Sequence, residues 1–71
     1  MPRIVVKVKV FGRRRDRRLF LPARARVLDL LERLGYNPQV VVVRRNGKVV
    51  VEEEGLASGD VVEIIPVVTG G

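Results

Sequence analysis

The chain has 71 residues, 46% of them hydrophobic, which suffices for one small domain with a modest apolar core. It contains no Cys and no His, which excludes disulfides, thiolate chemistry and the commonest general base and metal ligand. The formal net charge is +6. No apolar run approaches the roughly 20 residues that cross a bilayer, so we expect no membrane partner and a cytoplasmic location.

The first third of the chain predicts a β-hairpin. Residues 4–11 alternate between β-branched side chains on one face and a mixed, Lys-containing set on the other, which is typical of a half-buried strand. A polar interruption follows at residues 12–16, and residues 17–21 resume as a second strand. Pro22 should end this strand, because proline has no backbone N–H to donate.

The next segment predicts one amphipathic helix. Its apolar stripe falls at helical spacing and consists of Val27, Leu30, Leu31 and Leu34. Gly35 is expected to stop the helix in the left-handed conformation, and Pro38 cannot continue it. Arg26 occupies the N-cap position, where Asp29 in the first turn should compensate through the helix dipole.

The second half of the chain predicts three further strands. Residues 40–43 form a continuous run of Val, which favours a strand buried on both faces. Asn46-Gly47 is a strong hairpin signal, and residues 49–51 supply the returning strand. Residues 61–65 form the last strand, which Pro66 should stop.

The order is therefore hairpin, helix, hairpin, final strand and tail. A single helix stripe must pack across one face of a mixed sheet, and the polar and apolar patterns are both satisfied if the last strand lies beside the first. The sequence thus predicts an α+β fold of the β-grasp (ubiquitin-like) type, with four to five strands and one main helix. The predicted domain spans residues 1–66, and residues 67–71 form a flexible tail.

The tail predicts an acyl carrier. Gly70 and Gly71 lack a Cβ, so they can thread a narrow channel, and the Gly71 carbonyl is the least hindered that any residue offers. A carboxylate becomes electrophilic only when ATP adenylylates it, after which sulfide, a thiol or an amine can take the acyl group. The chain has no phosphate-binding glycine loop and no nucleophile–base pair for this step. We therefore expect no catalytic residue, no bound cofactor, and ATP used by a separate activating enzyme.

The last strand also predicts a surface for that enzyme. If Val62 and Ile64 point into the core, their neighbours point outward, because strand residues alternate. An exposed apolar patch next to a reactive tail usually marks a partner site. The predicted partner interface consists of Val61, Ile65, Val67 and Val68.

The arginine run at residues 13–18 leaves three interpretations open: a solvated surface of the heat-adapted kind, a guide for docking onto an acidic enzyme, or an RNA-binding surface. Single-strand binding usually adds aromatic stacking platforms. Phe11, Phe20 and Tyr36 are the only aromatic residues, and we expect most of them in the core or at the helix end. A nucleic-acid partner is therefore not expected, and a β-grasp RNA-binding module is kept as an alternative.

Three segments, residues 27–35, 46–48 and above all 59–71, resemble the ubiquitin-like sulfur-carrier family of thiamine-biosynthesis carriers, molybdopterin-synthase small subunits, ubiquitin-related modifiers and archaeal small modifier proteins. The resemblance implies that Gly71 becomes an acyl-adenylate and then a thiocarboxylate, while Gly70 and Thr69 line the enzyme's channel. The sulfur would serve thiamine or molybdopterin biosynthesis or tRNA thiolation, through a sulfur-accepting enzyme. The alternative that the resemblance implies is conjugation of Gly71 to lysines of target proteins.

Overall fold

The computed structural model of the chain describes residues 2–67. They form one five-stranded mixed sheet in the order β2-β1-β5-β3-β4. The strands and the single α-helix of this range are β1 (Arg3–Val10), β2 (Arg17–Pro22), α1 (Val27–Leu34), β3 (Val41–Arg45), β4 (Lys48–Val50) and β5 (Val61–Pro66). β1 and β5 are parallel, and the other neighbours are antiparallel. The β-grasp prediction is confirmed, including the last strand beside the first.

The core lies between the inner face of the sheet and α1. The alternation in β1 is as predicted, because Ile4, Val6 and Val8 are buried while Lys7 and Lys9 are exposed. The fully buried side chains come from β1, β5 and the helix: Val6, Val8, Val27, Leu30, Leu31, Val62 and Ile64. The last strand therefore turns Val62 and Ile64 inward, as its sequence predicts.

Helix α1 begins and ends as predicted, with one added detail. Gly35 has φ 82°, and its N–H donates to the carbonyls of the last turn. At the other end, the Asp29 carboxylate accepts a hydrogen bond from the Arg26 N–H at 2.8 Å. Asp29 thus supplies half of a capping box in addition to its charge at the helix N-terminus.

The prediction that residues 40–43 form one strand buried on both faces is wrong. Pro38–Val40 is a 3₁₀ turn, which begins where the Asn37 side chain accepts a hydrogen bond from the Gln39 N–H at 2.9 Å. In β3 only Val43 is buried. The physical reason is that α1 covers one face of the sheet, and no second layer covers the outer face among residues 2–67.

The expected burial of the phenylalanines is also wrong. Phe11 is 70% exposed and Phe20 is 59% exposed. Both lie at outward positions of the hairpin, where the alternation of β1 and β2 places them. Tyr36 follows the helix and packs partly buried against the core, as predicted.

In the part of the chain that the structure describes, no helix is both long enough and apolar enough to cross a membrane.

Candidate functional site

The candidate site is the end of β5 from which the chain leaves the sheet. β5 is the central strand and is paired with β1 and β3. Beyond its last residue, the Val67 N–H donates to the Val40 carbonyl at 2.8 Å, so backbone pairing extends one position into the predicted tail. The remaining predicted tail residues lie outside the described range: Val68, Thr69, Gly70 and Gly71.

An exposed apolar surface surrounds this exit point. Ile65 lies on the outer face of the sheet, directly paired with Val42 of β3, and both side chains are half-buried. Phe11 flanks Ile65 from the other side, because its N–H donates to the Ile64 carbonyl at 2.9 Å. Val67 and Val40 are 46% and 44% exposed. We call this surface the tail-base patch, and it consists of Phe11, Val40, Val42, Ile65 and Val67.

The predicted partner interface is only partly brought together. Ile65 and Val67 lie in the tail-base patch, whereas Val61 lies at the opposite end of β5, about 13 Å from Ile65 at the usual strand rise. Between them on the same face is Glu63, whose carboxylate lies 3.4 Å from the Arg44 guanidinium. Val61 is half-buried, and its backbone N–H donates to the Asn46 side chain at 2.9 Å.

Sequence reasoning missed three members of the patch, namely Phe11, Val40 and Val42. The alternation of β1 already places Phe11 on the outer face. What the sequence did not show is that β1 pairs with β5 in the register that puts Phe11 beside Ile65. Val40 and Val42 were assigned to a strand buried on both faces, so neither was expected to contribute to an exposed surface.

A second feature holds the start of β5 in place. Asp60, only 6% exposed, accepts hydrogen bonds from Arg45 Nε at 2.7 Å, the Ala57 N–H at 2.8 Å and Asn46 Nδ2 at 3.0 Å. Asn46 also pairs with Val61 through its own N–H, at 2.8 Å. Arg45 reaches Glu54 as well, at 3.2 Å. This cluster, which we call the Asp60 network, joins the β3–β4 turn to the loop before β5.

The electrostatics of the Asp60 network follow from these contacts. Burial alone would raise the pKa of Asp60, but the hydrogen bonds from Arg45, Ala57 and Asn46 together hold that pKa below its usual value. The hydrogen bond that Arg45 donates to Asp60, together with the negative charge of Asp60, raises the pKa of Arg45. Both groups are therefore charged at neutral pH. Because both Asp60 oxygens already accept hydrogen bonds, the network fixes backbone geometry and does not offer a free base.

Acidic side chains do not form a metal centre in the described range: among residues 2–67, no group of three potential ligands lies close enough to hold an ion.

The Asn46-Gly47 turn and the Gly59-Asp60 segment have structural roles. Asn46 and Gly47 have φ values of 52° and 86°, the pair of positive φ angles of a type I′ turn. Gly59 has φ 90°, and its N–H donates to the Val5 carbonyl at 2.8 Å.

One helix packs against a five-stranded mixed sheet, and the central strand ends beside an exposed apolar patch. This architecture defines the chain as a small ubiquitin-like protein. The model of the ThiS family matches residues 8–71, and the chain belongs to this family. The family consists of small ubiquitin-like sulfur-carrier proteins, which are carriers and not catalysts.

Solved structures agree with this assignment. A putative molybdopterin converting factor subunit 1 from Pyrococcus furiosus superposes with a TM-score of 0.77 at 31% identity, over 92% of this chain and 99% of that one. SAMP1 from Haloferax volcanii gives a TM-score of 0.73 at 27% identity, over 94% and 99% of the two chains. The ubiquitin of Caldiarchaeum subterraneum gives 0.73 at 18% identity, over 99% and 100%, and this likeness concerns the fold alone.

Proposed function

We propose that the carboxylate of Gly71 is the reactive group, and that a separate enzyme converts it to a thiocarboxylate. The Gly71 carboxylate attacks the α-phosphorus of ATP and displaces pyrophosphate. Sulfide then attacks the acyl-adenylate carbonyl, so that a C–S bond forms, the C–O bond to AMP breaks, and the sulfide proton passes to solvent. The product is a terminal thiocarboxylate that carries sulfur.

One observation carries the proposal: Val67, the last residue of the described range, is held by a backbone hydrogen bond within an exposed apolar patch. The four residues that follow it can extend at most about 13–14 Å. An enzyme that docks on the tail-base patch therefore has Gly71 within that distance of its contact surface. In this arrangement Thr69 and Gly70 line the channel, where the absence of a Cβ at Gly70 allows a close approach of enzyme backbone.

Activation belongs to the partner enzyme, which also binds the ATP, and this chain binds no cofactor in the proposal. The proposal keeps the cytoplasmic location that was expected from the sequence. The second partner is the enzyme that accepts the sulfur. The name of the Pyrococcus relative makes molybdopterin synthesis the first acceptor pathway to test, ahead of thiamine synthesis and tRNA thiolation.

The proposal is tested with two changes at the tail. One Ala added after Gly71 converts the reactive carboxyl to a peptide bond, and deletion of Gly70-Gly71 removes this carboxyl. Both variants should lose ATP-dependent pyrophosphate exchange in an extract of the native cells. The matched control carries one additional Ala at the N-terminus, far from the tail in sequence, and should keep the parent rate. Full exchange by either tail variant would contradict the proposal.

Intact-mass measurement of the protein from its native cells provides the second test. The thiocarboxylate is heavier than the carboxylate by the difference between one sulfur and one oxygen atom. The same measurement shows whether the chain ends at Gly71. A preparation from actively growing cells that contains only the unmodified carboxylate would count against the sulfur carrier.

The similarity to SAMP1 favours one further candidate function, a protein modifier joined through Gly71 to lysines of target proteins. It uses the same adenylate, with an amine in place of sulfide as the nucleophile. After proteolysis of cell protein, a branched peptide bearing the C-terminal residues of this chain on a lysine would identify the modifier.

A further inference from the structure

Strand β2 forms one edge of the sheet, and a groove of about 780 Å³ runs along it. The groove follows the sheet edge and is lined from both faces of β2: Leu19 and Leu21 lie on the inner face, and Arg18 and Phe20 lie on the outer face. Its other cationic lining residues are Arg3, Arg24 and Arg33. This surface, the β2-edge groove, lies two strands away from β5 and takes no part in the chemistry proposed for Gly71.

Phe20 is the central feature of the β2-edge groove. Its ring is 59% exposed and lies on the outer face opposite Val5. The guanidinium carbon of Arg3 lies 5.7 Å from the ring centroid, which is within the range of a cation–π contact. The groove therefore offers an aromatic ring that has a cation over one face and is still largely exposed to solvent.

The arginines near this edge are not neutralised by the protein itself. None of the salt bridges within residues 2–67 involves Arg3, Arg24, Arg33 or any of the five arginines of residues 13–18. By contrast, Arg44 and Arg45 are both paired with carboxylates. Heat-adapted surfaces organise their charges into ion-pair networks, and this edge shows none among the described residues. An uncompensated row of cations is instead the electrostatic footprint of an anionic ligand.

We propose that the β2-edge groove binds single-stranded RNA, with a base stacked on Phe20 and phosphates contacting the arginines. Unpaired bases exposed in RNA loops stack on aromatic side chains. A single RNA strand supplies both features at once, a base that stacks on the Phe20 ring and successive phosphates for the arginines. A second copy of the chain is disfavoured at this edge, because Arg17, Arg18 and Pro22 oppose strand-to-strand pairing.

The length of the basic surface indicates a polynucleotide and not a single nucleotide. The six residues of β2 cover about 20 Å at the usual rise, with Arg24 just beyond one end and the arginines of residues 13–15 beyond the other. Several successive phosphates can therefore be contacted at once. Stacking plus a basic track is the usual way in which single strands are bound without strong sequence preference.

The test measures binding of the full chain to a fluorescent oligouridylate of about 16 nucleotides by anisotropy, between about 50 and 200 mM salt. The parent should bind, with an affinity that falls as salt rises. Phe20→Ala should weaken binding about 5- to 100-fold while leaving the salt dependence intact, because stacking is lost and no phosphate contact is removed. Arg18→Gln should instead lower the slope of log affinity against log salt by about one.

Three controls make the result specific. Phe11→Ala removes the other exposed phenylalanine and should bind like the parent. Phe20→Tyr keeps an aromatic ring and should retain the affinity that Phe20→Leu loses, while circular dichroism confirms that each variant is folded. Deletion of Gly70-Gly71 should leave RNA binding unchanged while abolishing adenylylation, so this inference and the proposed function fail separately.

Two outcomes would overturn the inference. Equal affinities for the parent and Phe20→Ala would reduce the groove to a non-specific polycation. Absence of RNA binding at about 50 mM salt, together with slower adenylylation of the Arg18→Gln variant, would assign the basic edge to an acidic protein partner instead.

Discussion

Asp60 is the one buried polar or charged side chain among residues 2–67, and it shows how a single residue can set the position of a strand. Its carboxylate is surrounded by a guanidinium, a side-chain amide and a backbone N–H. Its own backbone carbonyl accepts a hydrogen bond from the Lys7 N–H at 2.9 Å. Asp60 thereby links the start of β5 to both of its neighbouring strands, and β5 leads to the tail.

Replacement of Asp60 by asparagine tests this role at constant size. The introduced side-chain amide would place N–H donors where the three donors of the network converge, so we expect a loss of about 1–3 kcal/mol in the free energy of unfolding. The measurement is equilibrium denaturation in urea. Asp16→Asn removes an exposed carboxylate paired with Lys7 and is the matched control, with an expected change within about 0.5 kcal/mol. Equal effects of both substitutions would contradict the structural role of Asp60.

The lowered pKa of Asp60 predicts a pH dependence of stability. Its folded-state pKa lies below the unfolded-chain value of about 3.9, so the unfolded chain binds the proton first as the pH falls. The contribution of Asp60 is therefore complete at neutral pH and is lost as the pH falls through the unfolded and then the folded pKa. The free energy of unfolding, measured from about pH 6 to pH 2, should fall more steeply for the parent than for Asp60→Asn. Parallel curves would show that Asp60 is not responsible.

At the scale of elements, α1 has only eight residues and depends on its surroundings. A helix of this length is marginal in isolation, since nucleation costs more than so few hydrogen bonds return. Three of its residues, Val27, Leu30 and Leu31, are buried against the sheet. Asp29 at the start and Gly35 at the end satisfy backbone groups that the short helix leaves unpaired.

Gly35→Ala isolates the contribution of the helix end. A Cβ at Gly35 would meet no atom within 4 Å, so the cost arises only from the φ of +82°. We expect a loss of about 1–2 kcal/mol in the free energy of unfolding, measured by urea denaturation. Gly55→Ala is the matched control: its Cβ also meets nothing within 4 Å, and Gly55 has no positive φ. The control should be neutral or slightly stabilising, and a similar loss in both variants would contradict the argument.

At the scale of the whole molecule, the two proposed functions use different surfaces. The tail-base patch lies where β5 ends, the basic β2 edge lies on one side of the sheet, and β4 forms the other edge. The β3–β4 side is closer to charge balance, because Arg44 and Arg45 are paired with Glu63, Glu54 and Asp60. An activating enzyme docked on the patch therefore need not cover the basic edge.

Ile65→Asp tests the patch as a docking surface. A carboxylate in the middle of an apolar contact should weaken adenylylation at least about tenfold, because burial of an unpaired charge is costly. The fold should remain intact, since Ile65 is not part of the core. The measurement is the rate of pyrophosphate exchange against protein concentration, with Val49→Asp, an exposed position on the edge strand β4, as the matched control. Unchanged turnover of Ile65→Asp would remove the patch from the proposed function.

The local sequence was sufficient to predict the helix and the turns, because these elements depend on residues that are close together in the chain. The stripe that ends at Leu34, the stop at Gly35 and the Asn46-Gly47 turn predicted the helix and the second hairpin, because spacing and turn chemistry act over a few residues. The family resemblance of the last segment likewise resided in the sequence. Gly70 and Gly71 remain predicted site residues, since they lie beyond the described range.

Tertiary structure decided what lies beside what. The register of β1 against β5 brings Phe11 next to Ile65, and the pairing of β3 with β5 adds Val42. These three residues lie far apart in the sequence. From the sequence alone we expected most of the aromatic residues in the core or at the helix end, whereas the single helix covers only the inner face of the sheet and leaves Phe20 exposed. Burial on an outer sheet face depends on whether another layer packs there, and no local pattern encodes that.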